Sequence, residues 1–220
     1  MDRTRRRELA SKLLDGYVHG PAAATEATAR ALAKVAAADA VVLVEGISDQ
    51  IAVETLAARR GRDLAAERMV VLPTGGAHAI TRYVRQLGPA GAGLRLTGLC
   101  DSGEEYVVRR GLASGGIGLP ETRAEMERLG FFVCVEDLED ELIRAIGADE
   151  VEALIDSQGD LGSFQSLQRQ PEWRSQPARA QLRRFLGSGA TRKLRYARLL
   201  AGSVDLDRLP HALEAVLAFA

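Results

Sequence analysis

The stretch Ala40-Val41-Val42-Leu43-Val44-Glu45-Gly46-Ile47-Ser48-Asp49 decides the fold class of this 220-residue chain. Its first five residues are apolar and mostly β-branched, which predicts a strand buried on both faces, as the strands of parallel sheets are. Glu45-Gly46 ends that strand. Ser48 can then cap a helix that runs from Asp49 to about Arg60. A buried strand followed at once by a helix is the first half of a βαβ unit.

The same strand-and-helix pattern recurs further along the chain. A turn at Pro73–Gly76 precedes a predicted helix at 77–87. Three further apolar segments predict strands, at 69–72, 94–99 and 131–135. This alternation predicts an α/β core with a four-stranded, mainly parallel sheet and right-handed crossovers.

The rest of the chain reads as helical additions to that core. Two helices, Asp2–Val18 and Ala22–Ala37, are predicted on either side of Gly20-Pro21. From Glu139 onward the pattern is again mainly helical. We therefore divide the chain into three parts: an N-terminal helical segment at 1–38, the α/β core at 39–147 and a helical, basic C-terminal region at 148–220.

Composition excludes several classes of protein. Hydrophobic residues make up 46% of the chain, which suffices for a substantial core. No uncharged apolar run reaches the roughly 18 residues that a membrane span needs, and no signal peptide follows the basic start. Cys100 and Cys134 sit in apolar stretches without metal-ligand spacing, so we expect buried thiols and a cytoplasmic protein.

The net charge of −1 conceals two opposed stretches. Residues 136–160 contain ten acids and one base, whereas residues 169–198 contain nine bases and one acid. The basic stretch suits a polyanion such as DNA. The alternative is that it pairs with the acidic stretch inside the molecule. The candidate nucleic-acid contacts are Arg183, Arg184, Arg192 and Arg195.

Acidic residues follow three of the four predicted strands. Glu45 ends the first strand, Asp101 the third, and Glu136-Asp137 the fourth, while Asp49 and Glu139 lie close behind. Sites in parallel sheets form outside the carboxyl ends of the strands. Acids that converge there need a hard cation such as Mg²⁺. The alternative is that these are solvated acids, or acids that stabilise the start of a helix.

The motif Val42–Asp49 resembles the opening motif of TOPRIM domains, and with Asp137-Leu138-Glu139 it most resembles the OLD-family nucleases. The similarity spans about half the chain, from Ala40 to Ile146. It implies a TOPRIM sheet of Rossmann-like type and metal-dependent cleavage of DNA. It also implies one or two Mg²⁺ or Mn²⁺ ions, with Glu45 acting as general base or acid and touching metal. The other implied ligands are Asp49, Asp101, Asp137 and Glu139.

The resemblance also implies a catalytic lysine beyond the core. Lys193 and Ala197 reproduce the Lys-x-x-x-Ala-like setting found in OLD nucleases. Lys193 is one of only three lysines beside 26 arginines, which favours a role for its compact charge. The alternative is an ordinary solvated lysine on a basic helix.

Two features depart from the OLD pattern. Gly103 stands where the family's second acidic motif has its second Asp, and Glu104 is displaced by one residue. No Gly-Lys-Ser/Thr motif of a P-loop is present, although full-length OLD proteins carry an ATPase. We therefore expect that the chain either acts alone or recruits an ATPase partner in trans, and the oligomeric state stays open.

Three functions remain in competition at this point. The first is a metal-dependent DNA endonuclease or nickase. The second is a non-catalytic nucleic-acid-binding or regulatory module, which the glycine at 103 favours. The third is a domain that binds a small phosphorylated ligand at the same edge, supported only by the fold argument.

Overall fold

The computed structural model describes residues 12–20 and 22–220. Most of the predicted helix at 2–18, and Pro21 of the predicted break, lie outside the described residues. The core is a four-stranded, all-parallel sheet, which confirms the predicted fold class. In spatial order its strands are β2 (Met69–Pro73), β1 (Ala40–Val44), β3 (Arg95–Cys100) and β4 (Phe131–Val133).

The register of the sheet aligns the strand ends. Val44 pairs with Pro73, Leu43 pairs with Gly98, and Cys100 pairs with Val133. Every residue of β1 and β2 is buried, as a sheet covered on both faces requires. The residues that follow β1, β3 and β4 are therefore delivered to one common edge.

Helices cover both faces of the sheet. On the first face, one hydrophobic cluster packs around Leu43 and Leu72, and it includes Cys100. The helices on this face are α1 (Ala23–Val35), α3 (Ile80–Leu87), α4 (Glu105–Ser114) and α5 (Arg123–Arg128). Short 3₁₀ turns at Ala77–Ala79 and Ser102–Glu104 lead into α3 and α4.

The second face is covered by α2 (Ile47–Arg59) and by the C-terminal helices. The C-terminal region thus contributes directly to the main core, which includes Cys134 and Tyr196. None of the helices in the described part of the chain has the length and apolar character that crossing a bilayer requires. The C-terminal helices are α6 (Leu138–Ile146), α7 (Ala148–Ser157), α8 (Leu161–Gln168), α9 (Ala178–Leu186), α10 (Ala190–Ser203) and α11 (His211–Phe219).

Candidate metal and phosphodiester site

Glu45 is fixed at the end of β1 by the neighbouring turn. Its backbone carbonyl accepts the N–H groups of Gly75 at 3.1 Å and Gly76 at 3.0 Å. Both glycines have φ in the left-handed region, +81° and +116°, which favours residues without a Cβ. Because the N–H groups of both glycines already donate to the Glu45 carbonyl, this turn positions Glu45 and is not free to bind a phosphate group.

The Glu45 carboxylate points toward the end of β3. Its Oε1 accepts the backbone N–H of Asp101 at 3.3 Å. The pKa of Glu45 is raised, mainly by burial and also by the charges of Glu104 and Glu139, while the Asp101 N–H and Lys193 act in the opposite direction. A carboxylate with a raised pKa exchanges a proton more readily near neutral pH.

Asp49 lies in the first turn of α2, beside Glu45. Its Oδ2 accepts the N–H of Gly46 at 2.8 Å, which fixes the carboxylate at the mouth of the helix. Burial raises the pKa of Asp49 to about 6, with a further contribution from the charge of Glu45. The charge of Lys193 opposes this shift.

Asp101 is the acid on which the others converge. Burial and, to a lesser extent, the charges of nearby carboxylates raise its pKa to about 8. Those carboxylates are Asp49, Glu45, Asp137 and Glu139. Strand ends far apart in the sequence therefore place the five predicted metal ligands within electrostatic range of one another.

Glu139, in the first turn of α6, is 5% exposed. Its Oε1 is buried and has no hydrogen-bond partner among the described residues. The nearest cation to that oxygen is Lys193, whose Nζ lies 3.4 Å away. Burial raises the pKa of Glu139, and the charge of Lys193 opposes the shift. A buried carboxylate oxygen without a hydrogen-bond partner can readily bind a cation.

Lys193 reaches the site from α10, which packs against α2. Burial alone would lower the pKa of Lys193, but the charges of Glu139, Asp49 and Asp101 raise it. The ammonium group therefore stays charged at neutral pH, next to three of the predicted ligands. The predicted catalytic lysine lies at the acidic edge and is not a freely solvated side chain.

Asp137 differs from the other acids because both of its oxygens are already engaged. Oδ1 accepts the N–H of Asp140 at 2.8 Å and so caps α6. Oδ2 accepts from Nε of Arg183. A second Arg183 nitrogen lies 3.5 Å from Glu136. Asp137 is therefore less free to bind a metal ion than the acids that no arginine holds.

Glu104 is a site residue that the sequence pattern left undecided. It precedes α4, and its charge contributes to the raised pKa of Glu45. Gly103 itself is exposed. Glu104 therefore brings a negative charge back to the region where the second acid of the motif is missing.

The four predicted nucleic-acid contacts lie in four different environments. Arg195 is 8% exposed and is ion-paired with Asp160, so burial removes it from the predicted contact surface. Arg183 pairs with acids of the site, as the alternative of internal pairing predicted. Arg192 stacks over the Phe185 ring at 4.2 Å. Arg184 is exposed.

The carboxylates of the site are chemically suitable ligands for a divalent cation. All are hard oxygen donors, and burial together with neighbouring carboxylate charges raises the pKa values of Asp49, Asp101 and Glu139. As placed, no three His, Cys, Asp or Glu side chains within residues 12–20 and 22–220 are arranged to hold a metal ion. Binding therefore requires the carboxylates to rotate toward a common point.

Comparison with known proteins finds a family model that matches the first part of this site. Residues 38–101, which include Glu45, Asp49 and Asp101, match the model of the "Overcoming lysogenization defect protein-like, TOPRIM domain" family. Over these residues the chain is similar to OLD-like TOPRIM domains. Glu139 and Lys193 lie beyond the matched segment, so their link to the site depends on the geometry described above.

Solved structures extend the similarity to most of the chain. The C-terminal region of the Xanthomonas campestris pv. campestris OLD protein, phased with platinum, is 26% identical with a TM-score of 0.66. That match covers 84% of this chain and 93% of the other. The C-terminal region of the Burkholderia pseudomallei OLD protein shares the fold, at 20% identity, a TM-score of 0.59, and coverage of 83% and 96%. No curated protein matches the chain.

Proposed function

We propose that this OLD-like TOPRIM protein cleaves phosphodiester bonds in DNA with the help of Mg²⁺ or Mn²⁺. The observation behind the proposal is the position of Lys193 among Glu139, Asp49 and Asp101, at the edge where Glu45 also ends its strand. Acids with a lysine among them at one sheet edge are what hydrolysis of a charged ester requires.

The metal-binding role falls to the acids that are not held by an arginine. Asp49, Asp101 and Glu139 would hold the ion or ions, with Glu45 close by and Asp137 joining when Arg183 releases it. When bound, a divalent ion lowers the pKa of water and neutralises phosphate charge. Glu104 supplies a further negative charge beside Glu45.

Two residues would act on the reacting groups themselves. Glu45 has a raised pKa and a carboxylate oriented by the Asp101 N–H, so it can accept the proton of an attacking water and return it to the leaving oxygen. Lys193 keeps its charge and stabilises the negative charge that develops on the phosphate.

The surroundings suit DNA as the substrate. Arg184 follows Arg183 in α9 and Arg192 precedes Lys193 in α10, and Arg183 is hydrogen-bonded to Asp137. Because the similar structures are C-terminal regions of OLD proteins, our proposal includes an ATPase partner that regulates access to the site.

A second candidate is a nucleic-acid-binding or regulatory module that does not cleave. Gly103 supports it, because the second acid of the motif is absent from that position. The two candidates differ in their response to metal: cleavage requires a divalent ion, whereas binding through cations depends on salt and survives EDTA.

A plasmid-nicking assay tests the proposal. The purified protein is incubated with supercoiled plasmid and Mn²⁺, and Glu45→Gln is compared with Glu150→Gln, a matched change at an exposed acid of α7. We expect nicking that EDTA abolishes, and a loss of about 100-fold or more in Glu45→Gln, as for removal of a general base. Nicking by Glu45→Gln at the rate of the unaltered protein would refute the catalytic role.

A further inference from the structure

A shallow basic groove lies on α3, away from the C-terminal basic stretch. Its volume is about 600 Å³, and the described residues that line it include no acid. Three basic side chains, His78, Arg82 and Arg85, are exposed there. Arg82 and Arg85, three residues apart, lie on one side of α3, and His78 lies in the 3₁₀ turn that leads into it. The full lining consists of His78, Thr81, Arg82, Arg85 and Gln86.

The neighbouring helix α4 carries an exposed aromatic side chain. Tyr106 is 62% exposed, and the Arg110 guanidinium lies over its ring at 5.7 Å. The other three tyrosines are buried or half-buried. An exposed ring next to an arginine is a suitable platform for a nucleobase, because stacking tolerates any base.

Close packing joins the two helices into one surface. Gly111 and Gly115 of α4 face Ile80, Thr81 and Val84 of α3, and a Cβ at Gly115 would lie only 2.1 Å from Val84 Cγ1. The lack of side chains at these glycines lets the helices approach closely. The exposed residues of α3 and α4 therefore lie on closely packed, adjacent helices.

This surface begins at the candidate site. The turn before α3 donates its Gly75 and Gly76 N–H groups to the Glu45 carbonyl, and His78 follows two residues later. Tyr106 follows Asp101 by five residues through the 3₁₀ turn. Both helices thus start at the acidic edge, and their exposed side chains lead away from it.

The arginines of this surface form no ion pairs among the described residues, whereas four of the nine bases of the C-terminal stretch do. In the described part of the chain, Arg82, Arg85 and Arg110 have no carboxylate within ion-pair distance; the one polar partner of Arg82 there is the neutral Tyr83 hydroxyl, to which it donates at 2.7 Å. By contrast, Arg183 and Arg195 are paired with Asp137 and Asp160. Basic side chains that are not paired with a carboxylate attract phosphate more strongly than paired ones do.

We propose that α3 and α4 form a track for one strand of DNA, with its phosphates along Arg82 and Arg85 and a base stacked on Tyr106. This inference rests on the proposed function in taking DNA as the substrate. The inference adds the path of the DNA strand and the residues that bind it. That path lies on the face of the sheet opposite the C-terminal helices.

Binding measured without catalysis tests the track. Fluorescence anisotropy of a labelled single-stranded oligonucleotide, in EDTA and at several salt concentrations, compares the unaltered protein with Arg82→Glu/Arg85→Glu. The matched control, Arg128→Glu/Arg208→Glu, makes the same charge change at exposed arginines elsewhere. We expect the groove variant to bind roughly ten-fold more weakly or worse, with a salt slope smaller by about two, and the control to stay near the unaltered protein.

A second pair of variants tests stacking. Tyr106→Ala should weaken single-strand binding roughly ten-fold and leave duplex binding nearly unchanged, while Tyr106→Phe should retain it. Equal binding by the groove variant and its control, or no DNA binding by the unaltered protein, would overturn the inference. If the protein binds DNA through the groove but never nicks plasmid, the proposed cleavage fails and the track stands.

Discussion

Lys193 Nζ lies 3.4 Å from Oε1 of Glu139, a carboxylate that the protein fold buries almost completely. The Glu139 side chain is 7% exposed and that of Lys193 is 40% exposed. The lysine therefore connects a buried acid to the open edge of the sheet. Its charge compensates Glu139, Asp49 and Asp101 together, because the pKa of Lys193 is raised by all three.

The first prediction concerns removal of that charge. Lys193→Met should lower Mn²⁺-dependent nicking by about 100-fold or more, the usual effect of losing a group that stabilises transition-state charge. It should also lower the melting temperature in EDTA, since three carboxylates lose a compensating cation. Lys34→Met, at an exposed lysine of α1, is the control and should change neither quantity. An equal effect of the two substitutions would contradict the assigned role.

The second prediction concerns pH and metal. The pKa of Asp101 is raised to about 8 and that of Asp49 to about 6, so the folded protein holds protons that the unfolded chain has already lost. Stability in EDTA should therefore fall as the pH rises from about 4 to about 8. Divalent ions replace those protons, so the melting temperature should gain more from Mg²⁺ at about pH 8 than at about pH 5.

Substitution of Asp101 isolates that effect. Asp101→Asn should remove much of the pH dependence in EDTA and most of the stabilisation by Mg²⁺, whereas Asp149→Asn, at an exposed acid of α7, should leave both unchanged. Thermal melting across the pH range measures both quantities. A constant or rising melting temperature between about pH 5 and 8 in EDTA would contradict the raised pKa values.

The third prediction asks whether Glu104 replaces the missing second acid. Glu104 acts electrostatically on Glu45, whereas its neighbour Glu105 is ion-paired with Arg123 at 2.7 Å. Glu104→Gln should weaken Mn²⁺ binding by roughly ten-fold or more, as losing a ligand or its support does. Glu105→Gln should leave it nearly unchanged. Calorimetric titration with Mn²⁺ measures both, and equal affinities would exclude Glu104 from the site.

Much of this architecture could be predicted from local sequence. β1 and β2 are continuous apolar runs, and the acids follow the strands directly, so a parallel sheet brings Glu45 and Asp101 to one edge. The pairing of arginines could not be predicted in this way. Whether Arg195 faces solvent or Asp160 depends on how α10 packs, which a run of basic residues does not reveal. The α3 groove had a usable signal, since His78, Arg82 and Arg85 recur at helical spacing.

The fourth prediction follows from the burial of Arg195. Its ion pair with Asp160 is enclosed, and the Tyr196 hydroxyl donates to the same carboxylate at 3.0 Å. Arg195→Met should lower the free energy of unfolding by about 3–5 kcal/mol, because it leaves a buried acid without its cation. Arg184→Met, at an exposed arginine of α9, should cost little. Denaturant unfolding measures both, and similar costs would show that the pair is not structural.

The last prediction concerns the close contact between α3 and α4. A Cβ at Gly115 would lie 2.1 Å from Cγ1 of Val84, a side chain with 0% exposure. Gly115→Ala should therefore cost about 1–3 kcal/mol of stability, as overpacking of a buried contact does. Gly202→Ala, in α10 with nothing within 4 Å, is the control and should be neutral or stabilising.

A double substitution shows whether that cost arises at Val84. Val84→Ala removes the Cγ1 atom that the new methyl group would meet, so the double variant should be less destabilised than the sum of the two single variants. Chemical denaturation of all four proteins gives this coupling energy. Strict additivity would mean that the helices separate freely at Gly115, and the continuous surface across α3 and α4 would then lose its structural basis.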